Sequence, residues 1–316
     1  MMQQIVNFFT NLFSSASSEA SDINTLFLRY MILAGFIVLL VSWLVIFNVI
    51  KYRAKNDENP KQIFGNKKLE LTWTILPFLA VSFFFFLAVK TMDDINKPLQ
   101  KGSEPDIVIT AHQWWWDMRY PKYNVVTANE LHIPVGKNLL ASIKSADVIH
   151  DWWVPSLGRK MDAVPGRTNY TWIEADKPGV YNGTCSEYCG AEHAWMRIRV
   201  VAESQAEFEK WIEAQQKMPG PPKDSLAMEG AKLFQSKTCA DCHSISGTPA
   251  DASVGPNLSH FESRKTMLSG MEIINDQNLK SWLTDPQKVK SGARMPDFLL
   301  SKNEVNELAA YIEGLK

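Results

Sequence analysis

The chain has 316 residues, enough for two or three domains, with 46% apolar side chains and a formal net charge of −1. That near-balance averages segments of opposite sign, and it argues against a nucleic-acid partner, which a strong basic excess would attract. Four cysteines would allow two disulfides in an oxidising compartment, unless the thiols have other work.

Residues 1–22 read as an outside tail. They lack a basic start, their apolar stretch is broken by Asn7 and Asn11, and no cysteine offers a lipid anchor. Residues 23–95 read as a transmembrane hairpin. Residues 30–50 and 71–89 carry no charge, and each is about long enough to cross roughly 30 Å of hydrocarbon. Two such runs close together set this pattern apart from the buried helix of a soluble protein. Pro77 falls inside the second run and is tolerated where neighbouring helices satisfy the freed carbonyl. Between the runs lie Lys51, Arg53, Lys55, Lys61, Lys67 and Lys68, whereas no lysine or arginine precedes Arg29. The basic loop therefore belongs on the cytoplasmic side of a cell inner membrane, with both termini and everything after the second helix outside. Membrane lipid is an expected partner.

Residues 104–215 change character. Short β-prone runs at residues 107–110, 129–135 and 171–173, separated by turn residues, predict an all-β sandwich or barrel, and residues 203–215 a closing helix. Near the end of this region Cys185-Ser-Glu187-Tyr-Cys189-Gly-Ala-Glu-His193-Ala-Trp-Met196 gathers two thiols, an imidazole and a thioether. Soft sulfur with imidazole suits copper, zinc or iron–sulfur centres, and a weak thioether ligand points to electron-transfer copper. A disulfide or two core thiols are the plainer alternatives. His150, in Asp147-Val-Ile-His150, is the candidate second imidazole, although a lone histidine among apolar residues is commonly just packed.

Residues 216–225 include Met218-Pro-Gly-Pro-Pro, a proline-rich tether. In residues 226–316 helical periodicity resumes, over 226–234, 278–283 and a last segment opened by the capping box Ser301-x-x-Glu304. Cys239-Ala-Asp-Cys242-His243 has the spacing of covalent c-type haem attachment, in which two thioethers hold the porphyrin and the histidine binds iron. A redox dithiol or half a zinc site would show the same two cysteines without needing the histidine. Met295, in Arg294-Met295-Pro296, is the favoured sixth ligand, with Met267 and Met271 as rivals.

The copper-type loop, His150 and the two apolar runs together resemble subunit 2 of haem–copper cytochrome c oxidases, and residues 226–316 resemble class I cytochromes c through Cys-x-x-Cys-His, Gly255-Pro-Asn-Leu and the terminal helices. The resemblance implies a two-helix transmembrane hairpin, an all-β cupredoxin domain and an all-α cytochrome c domain. It implies a dinuclear copper A centre in which Cys185 and Cys189 bridge two ions, His150 and His193 cap them, Met196 is a weak ligand and Glu187 binds through its backbone carbonyl. In that family the Glu187 carboxylate also helps hold a magnesium ion at the subunit 1 boundary, where Asp162-Ala-Val-Pro-Gly-Arg167 would lie as well. Glu70, in Glu70-Leu-Thr-Trp-Thr-Ile-Leu-Pro77, matches the glutamate at the entrance of a proton-conducting channel. Trp114, in His112-Gln-Trp114-Trp-Trp116, matches the tryptophan through which electrons arrive, with Trp115 standing where tyrosine is common.

The function expected is that of a respiratory terminal oxidase subunit. Electrons from an upstream donor would enter a covalent haem c, pass to copper, and leave for the haem–copper centre of subunit 1, where oxygen becomes water with proton translocation. A nitric oxide reductase subunit or a membrane-anchored carrier without an attached enzyme would hold the same metals. Quinol oxidase subunits lack the copper ligands, and nitrous oxide reductase needs a propeller domain for which this chain has no room.

Overall fold

The computed structural model describes residues 14–53, 64–96 and 103–316. Residues 1–13 of the expected tail, and Lys55 and Lys61 of the basic loop, lie outside them. The chain falls into two compact units, residues 19–101 and residues 102–316 together with 1–18.

The smaller unit is two long helices, α1 (Ser18–Lys51) and α2 (Lys67–Ile95). Helix α1 begins inside the segment read as a tail. Both helices are long and apolar enough to cross a membrane. The Tyr30 ring stacks on Phe84 at 4.3 Å, and its hydroxyl donates to the Phe84 carbonyl at 3.3 Å. Asn66 caps α2 by accepting from the Lys68 and Leu69 amides, and the Asn66 amide in turn donates to the Glu70 carboxylate at 3.3 Å. This reciprocal cap satisfies amides that a helix start would otherwise leave unpaired.

The larger unit opens with a sandwich of two five-stranded sheets. One sheet has the order β3 (Val125–Ala128), β2 (Trp115–Tyr120), β1 (Ile107–His112), β5 (Leu139–Ser145), β8 (Asn169–Ile173), and the other β4 (Glu130–Pro134), β10 (Arg197–Glu203), β9 (Gly179–Cys185), β6 (His150–Trp153), β7 (Met161–Ala163). Period-two burial turns Ile107, Ile109 and Ala111 of β1 inward to meet Leu131, Ile133, Ile198 and Val200 of the opposite sheet. Trp116 is fully buried and meets Trp152 edge-on at 5.3 Å. Ala16 and Ser17 bind the sandwich too, through the Ser156 and Leu157 carbonyls.

Helix α3 (Gln205–Gln215) closes the sandwich. It starts two residues later than the sequence suggests because Glu203 completes β10 and Ser204 caps the helix with Glu207 in a capping box. Phe208 and Ile212 face the core, and Trp211 stacks flat on His132 at 4.2 Å.

The remaining helices are α4 (Ser225–Ser236), α5 (Asp276–Thr284), the single turn α6 (Pro286–Val289) and α7 (Lys302–Glu313), with a small hairpin of β11 (Thr266–Met267) and β12 (Glu272–Ile273). The Ser301/Glu304 capping box is formed at the start of α7. Helices α4 and α7 cross at Gly230, where a Cβ would sit 1.9 Å from the Glu307 carbonyl, so only glycine permits the approach. Phe234 and Tyr311 pack edge to face beside that crossing, over a core of Leu279, Leu308 and Ile312.

This helical region is packed on the sandwich. The buried Gln215 at the end of α3 is pinned by it: the His260 ring donates to the Gln215 carbonyl at 3.0 Å, and the Gln215 amide to Ser263 at 3.2 Å. The tether residues 216–224 follow at once.

Candidate metal centres

The strand ends and one loop of the second sheet gather the soft donors. His150 opens β6, Cys185 ends β9, and the loop from Ser186 returns through a short turn at His193–Trp195 to Met196, just before β10. The two sulfurs are 3.7 Å apart. Around Cys185 lie His150 Nδ1 at 3.9 Å and the Glu187 carbonyl oxygen at 3.2 Å; around Cys189 lie His193 Nδ1 at 3.6 Å and the Met196 sulfur at 3.9 Å. Two donors on one tetrahedral ion, each about 2.0–2.3 Å from it, stand about 3.3–3.8 Å apart. The spacing therefore fits metal held between donors, and it is far too long for a disulfide. His150, Cys185 and Cys189 are all buried.

Neighbours orient these donors. The His150 Nε2–H donates to Asp147 at 2.8 Å, which leaves Nδ1 with its lone pair turned to the thiols. Asp147 also accepts from the Gln113 and Val148 amides. Burial opposes ionisation, yet these donors hold the Asp147 carboxyl down to about 2. The His150 ring loses some basicity to burial and regains more from Asp147 and Cys185, ending above its ordinary value. Hydrogen bonding from the Cys189 thiol, against burial and helped by His150, brings Cys185 down to about 4. The resulting thiolate, together with burial, pushes Cys189 upward. Without metal the pair holds one negative charge readily, and a cation is what would let both sulfurs ionise.

Trp114 lies against this loop. Its indole N–H donates to the Cys189 carbonyl at 3.0 Å, and the Gln113 side chain donates to the same oxygen at 2.7 Å. Gly190, at φ +116°, makes room: a Cβ there would stand 2.9 Å from the indole. Gln113, Asp147 and Gly190 are functional neighbours that the motif alone does not assign. Asp147 carries a faint signal in its three-residue spacing from His150.

A cavity of about 360 Å³ lies between the sandwich and the helical region. Cys239, Cys242 and His243 line it, as do Met267 and Met295, whereas Met271 does not. The wall opposite includes His112, Trp114 and Trp115 of the sandwich. His243 Nδ1 donates to the Pro256 carbonyl at 2.8 Å, and burial keeps the ring below its ordinary pKa, so Nε2 is free as a neutral ligand. At Gly255 a Cβ would meet that ring at 2.5 Å. The cysteines, the oriented histidine and the apolar lining fit a covalently held haem.

Two further residues stand elsewhere. Glu70 sits in the first turn of α2 within the Asn66 cap, and Asp162 lies on β7 opposite Asp151, with a turn at Gly166 behind it.

A cupredoxin-like sandwich with a sulfur-rich metal loop, apolar membrane helices before it and a helical Cys-x-x-Cys-His domain after it define a membrane-anchored electron-transfer protein of the copper and haem type. Family models for the periplasmic domain of cytochrome c oxidase subunit II match residues 125–203, for its transmembrane domain residues 6–92, and for cytochrome c residues 227–316. The chain is 37% identical to cytochrome c oxidase subunit 2 of Alkalihalophilus pseudofirmus, covering 90% of this chain and 86% of that relative. It is 31% identical to the Bacillus subtilis protein of the same name, covering 93% and 88%. Among solved structures it is similar to the periplasmic domain of subunit II of cytochrome oxidase of Bradyrhizobium japonicum, with 35% identity, 36% and 96% of the two chains covered and a TM-score of 0.35. The chain belongs to the cytochrome c oxidase subunit 2 family, and it is a subunit of a haem–copper oxidase complex with copper- and haem-binding domains.

Proposed function

We propose that this chain carries electrons into the oxidase, one at a time, from a covalent haem c on Cys239, Cys242, His243 and Met295 to a dinuclear copper A centre on His150, Cys185, Glu187, Cys189, His193 and Met196, and from there to the oxygen-reducing site of subunit 1. The observation that carries this reading is Trp114, which lines the crevice of the haem motif on one side and hydrogen-bonds the Cys189 carbonyl on the other. No other described aromatic side chain joins the two sites by such a bond. Met295 is assigned as sixth ligand over Met267 because Met267 is a buried core residue of the β11 hairpin, whereas Met295 sits in the loop before α7, half-buried at the crevice.

The basic loop supports an orientation with both metal domains on the periplasmic side of the inner membrane and an upstream donor arriving there. Glu187 offers its backbone carbonyl to the thiol pair while the residue itself is exposed, which suits a magnesium ion shared with subunit 1. Glu70 is assigned to the entrance of the proton path in subunit 1, a role its place in the α2 cap leaves sterically open.

The test is flash reduction of the haem in the purified oxidase with copper oxidised. Copper should gain the electron at a rate independent of protein concentration. A rate proportional to concentration, or none, would overturn the assignment.

A further inference from the structure

Lys290 is a lysine in an unusual place. It follows α6, in the loop that leads to Met295, and is only 5% exposed. Its ammonium leaves the helical domain and donates to two carbonyls of the copper domain, Trp114 at 3.2 Å and Trp195 at 3.5 Å. Trp195 directly precedes Met196 in the copper loop. Glu192 of the same loop is also 5% exposed, and one of its carboxylate oxygens is buried without a hydrogen-bond partner. A buried ammonium is costly unless it is bonded and its charge is answered. Here two carbonyls bond it and Glu192 supplies the opposite charge. Burial brings its pKa down to about 8, so it remains a cation at neutral pH.

The contacts around it point the same way. Ser269 donates to the Trp114 carbonyl at 2.7 Å, Arg294 donates to the Gln113 side chain, and a Cβ at Gly292 would touch Ala191 at 3.3 Å. Lys290 and Ser269 thus share the Trp114 carbonyl, and Lys290 alone reaches on to the copper loop.

We propose that Lys290 is the positioning residue that clamps the haem-side loop onto the copper loop, fixing the Met295 crevice against Trp114. This rests on the electron route proposed above. The clamp acts through Trp114 and the copper loop; Lys290 borders the crevice but is not among the metal donors. Because its bonds are buried they escape the salt screening that weakens docking through exposed lysines. Exposed Lys288, on the neighbouring turn, contributes nothing to it.

The test compares Lys290→Met, Lys290→Arg and Lys288→Met in the whole oxidase with metals bound. Hydrogen exchange at the Arg197 and Lys265 amides reads the interface directly, since they donate across it to Ser269 and Glu130. Lys290→Met removes both carbonyl bonds; it should speed that exchange about tenfold or more, as the loss of charge-assisted hydrogen bonds does, and slow haem-to-copper transfer. Lys290→Arg, which can still donate to both carbonyls, should restore both, and Lys288→Met should match the parent. Ser269→Ala, which leaves Lys290 in place, should give a smaller acceleration. Parental exchange in Lys290→Met, or in Lys290→Gln where Lys290→Met does not assemble, would overturn the clamp. Absence of intramolecular transfer in the parent protein would instead overturn the electron route, while the exchange data still judged the clamp.

Discussion

The indole nitrogen of Trp114 and the carbonyl oxygen of Cys189 are 3.0 Å apart, so an aromatic ring on one side of the sandwich is bonded to the backbone of a residue whose sulfur belongs to the metal loop. That bond joins an aromatic ring of the haem-motif crevice to the backbone of the thiol pair. Trp114→Phe keeps an aromatic ring, though a smaller one, and deletes the N–H. It should slow haem-to-copper transfer by about tenfold or more, as small losses of coupling geometry do, with copper and haem content unchanged. An unaltered rate with both centres intact would remove Trp114 from the path.

The thiol pair sits at the middle of the donor set, with the thioether at its edge. Cys185→Ser or Cys189→Ser should abolish a centre containing two copper ions per chain, whereas Met196→Leu should retain copper with a shifted potential, because an axial thioether chiefly tunes the metal. Metal analysis and the spin-resonance spectrum check this. One copper with a localised spin, or zinc, in the parent protein would count against the dinuclear assignment.

His132 sits between Glu130 and Glu203 and under Trp211. Burial works against its cation, but the two carboxylates raise its pKa above the ordinary value of about 6.5. The folded protein therefore binds this proton more tightly than the unfolded chain. Its contribution is complete below about pH 6.5 and disappears as pH rises through the folded value. Denaturation midpoints of the copper domain should fall across that range, and His132→Gln should flatten the slope. A variant with the parental slope would assign the effect elsewhere.

Gly230→Ala drives a Cβ into the Glu307 carbonyl, a clash with backbone that cannot swing away. The haem-carrying domain should lose at least about 1–3 kcal/mol, visible as a lower melting temperature of the haem spectrum. Copper absorbance should melt as before. Equal losses in both signals would mean that the two domains unfold as one.

The donor loop was legible because its residues are close in sequence and their chemistry is rare: Cys185, Cys189, His193 and Met196 are drawn together by one turn. The Ser301/Glu304 cap and the two uncharged helices were legible for the same local reason. His150 could be named as a candidate, but Asp147 and Gln113, which orient the site, could not be separated from ordinary polar loop residues. The packing of the two domains had no local signal at all. Lys290 and Trp114 meet across 176 positions, and nothing in the spacing of Pro286 to Met295 distinguishes a buried clamp from a solvated basic loop.

The pinning of Gln215 changes what the proline-rich stretch can be. A free leash of about nine residues would hold the haem domain at roughly millimolar effective concentration and let it wander. With His260 and Ser263 already bound to the last turn of α3, the leash is anchored to the haem domain before it begins. Opening at the Trp114 side while that anchor holds is a swing about a fixed pivot, so reclosing needs no diffusive search.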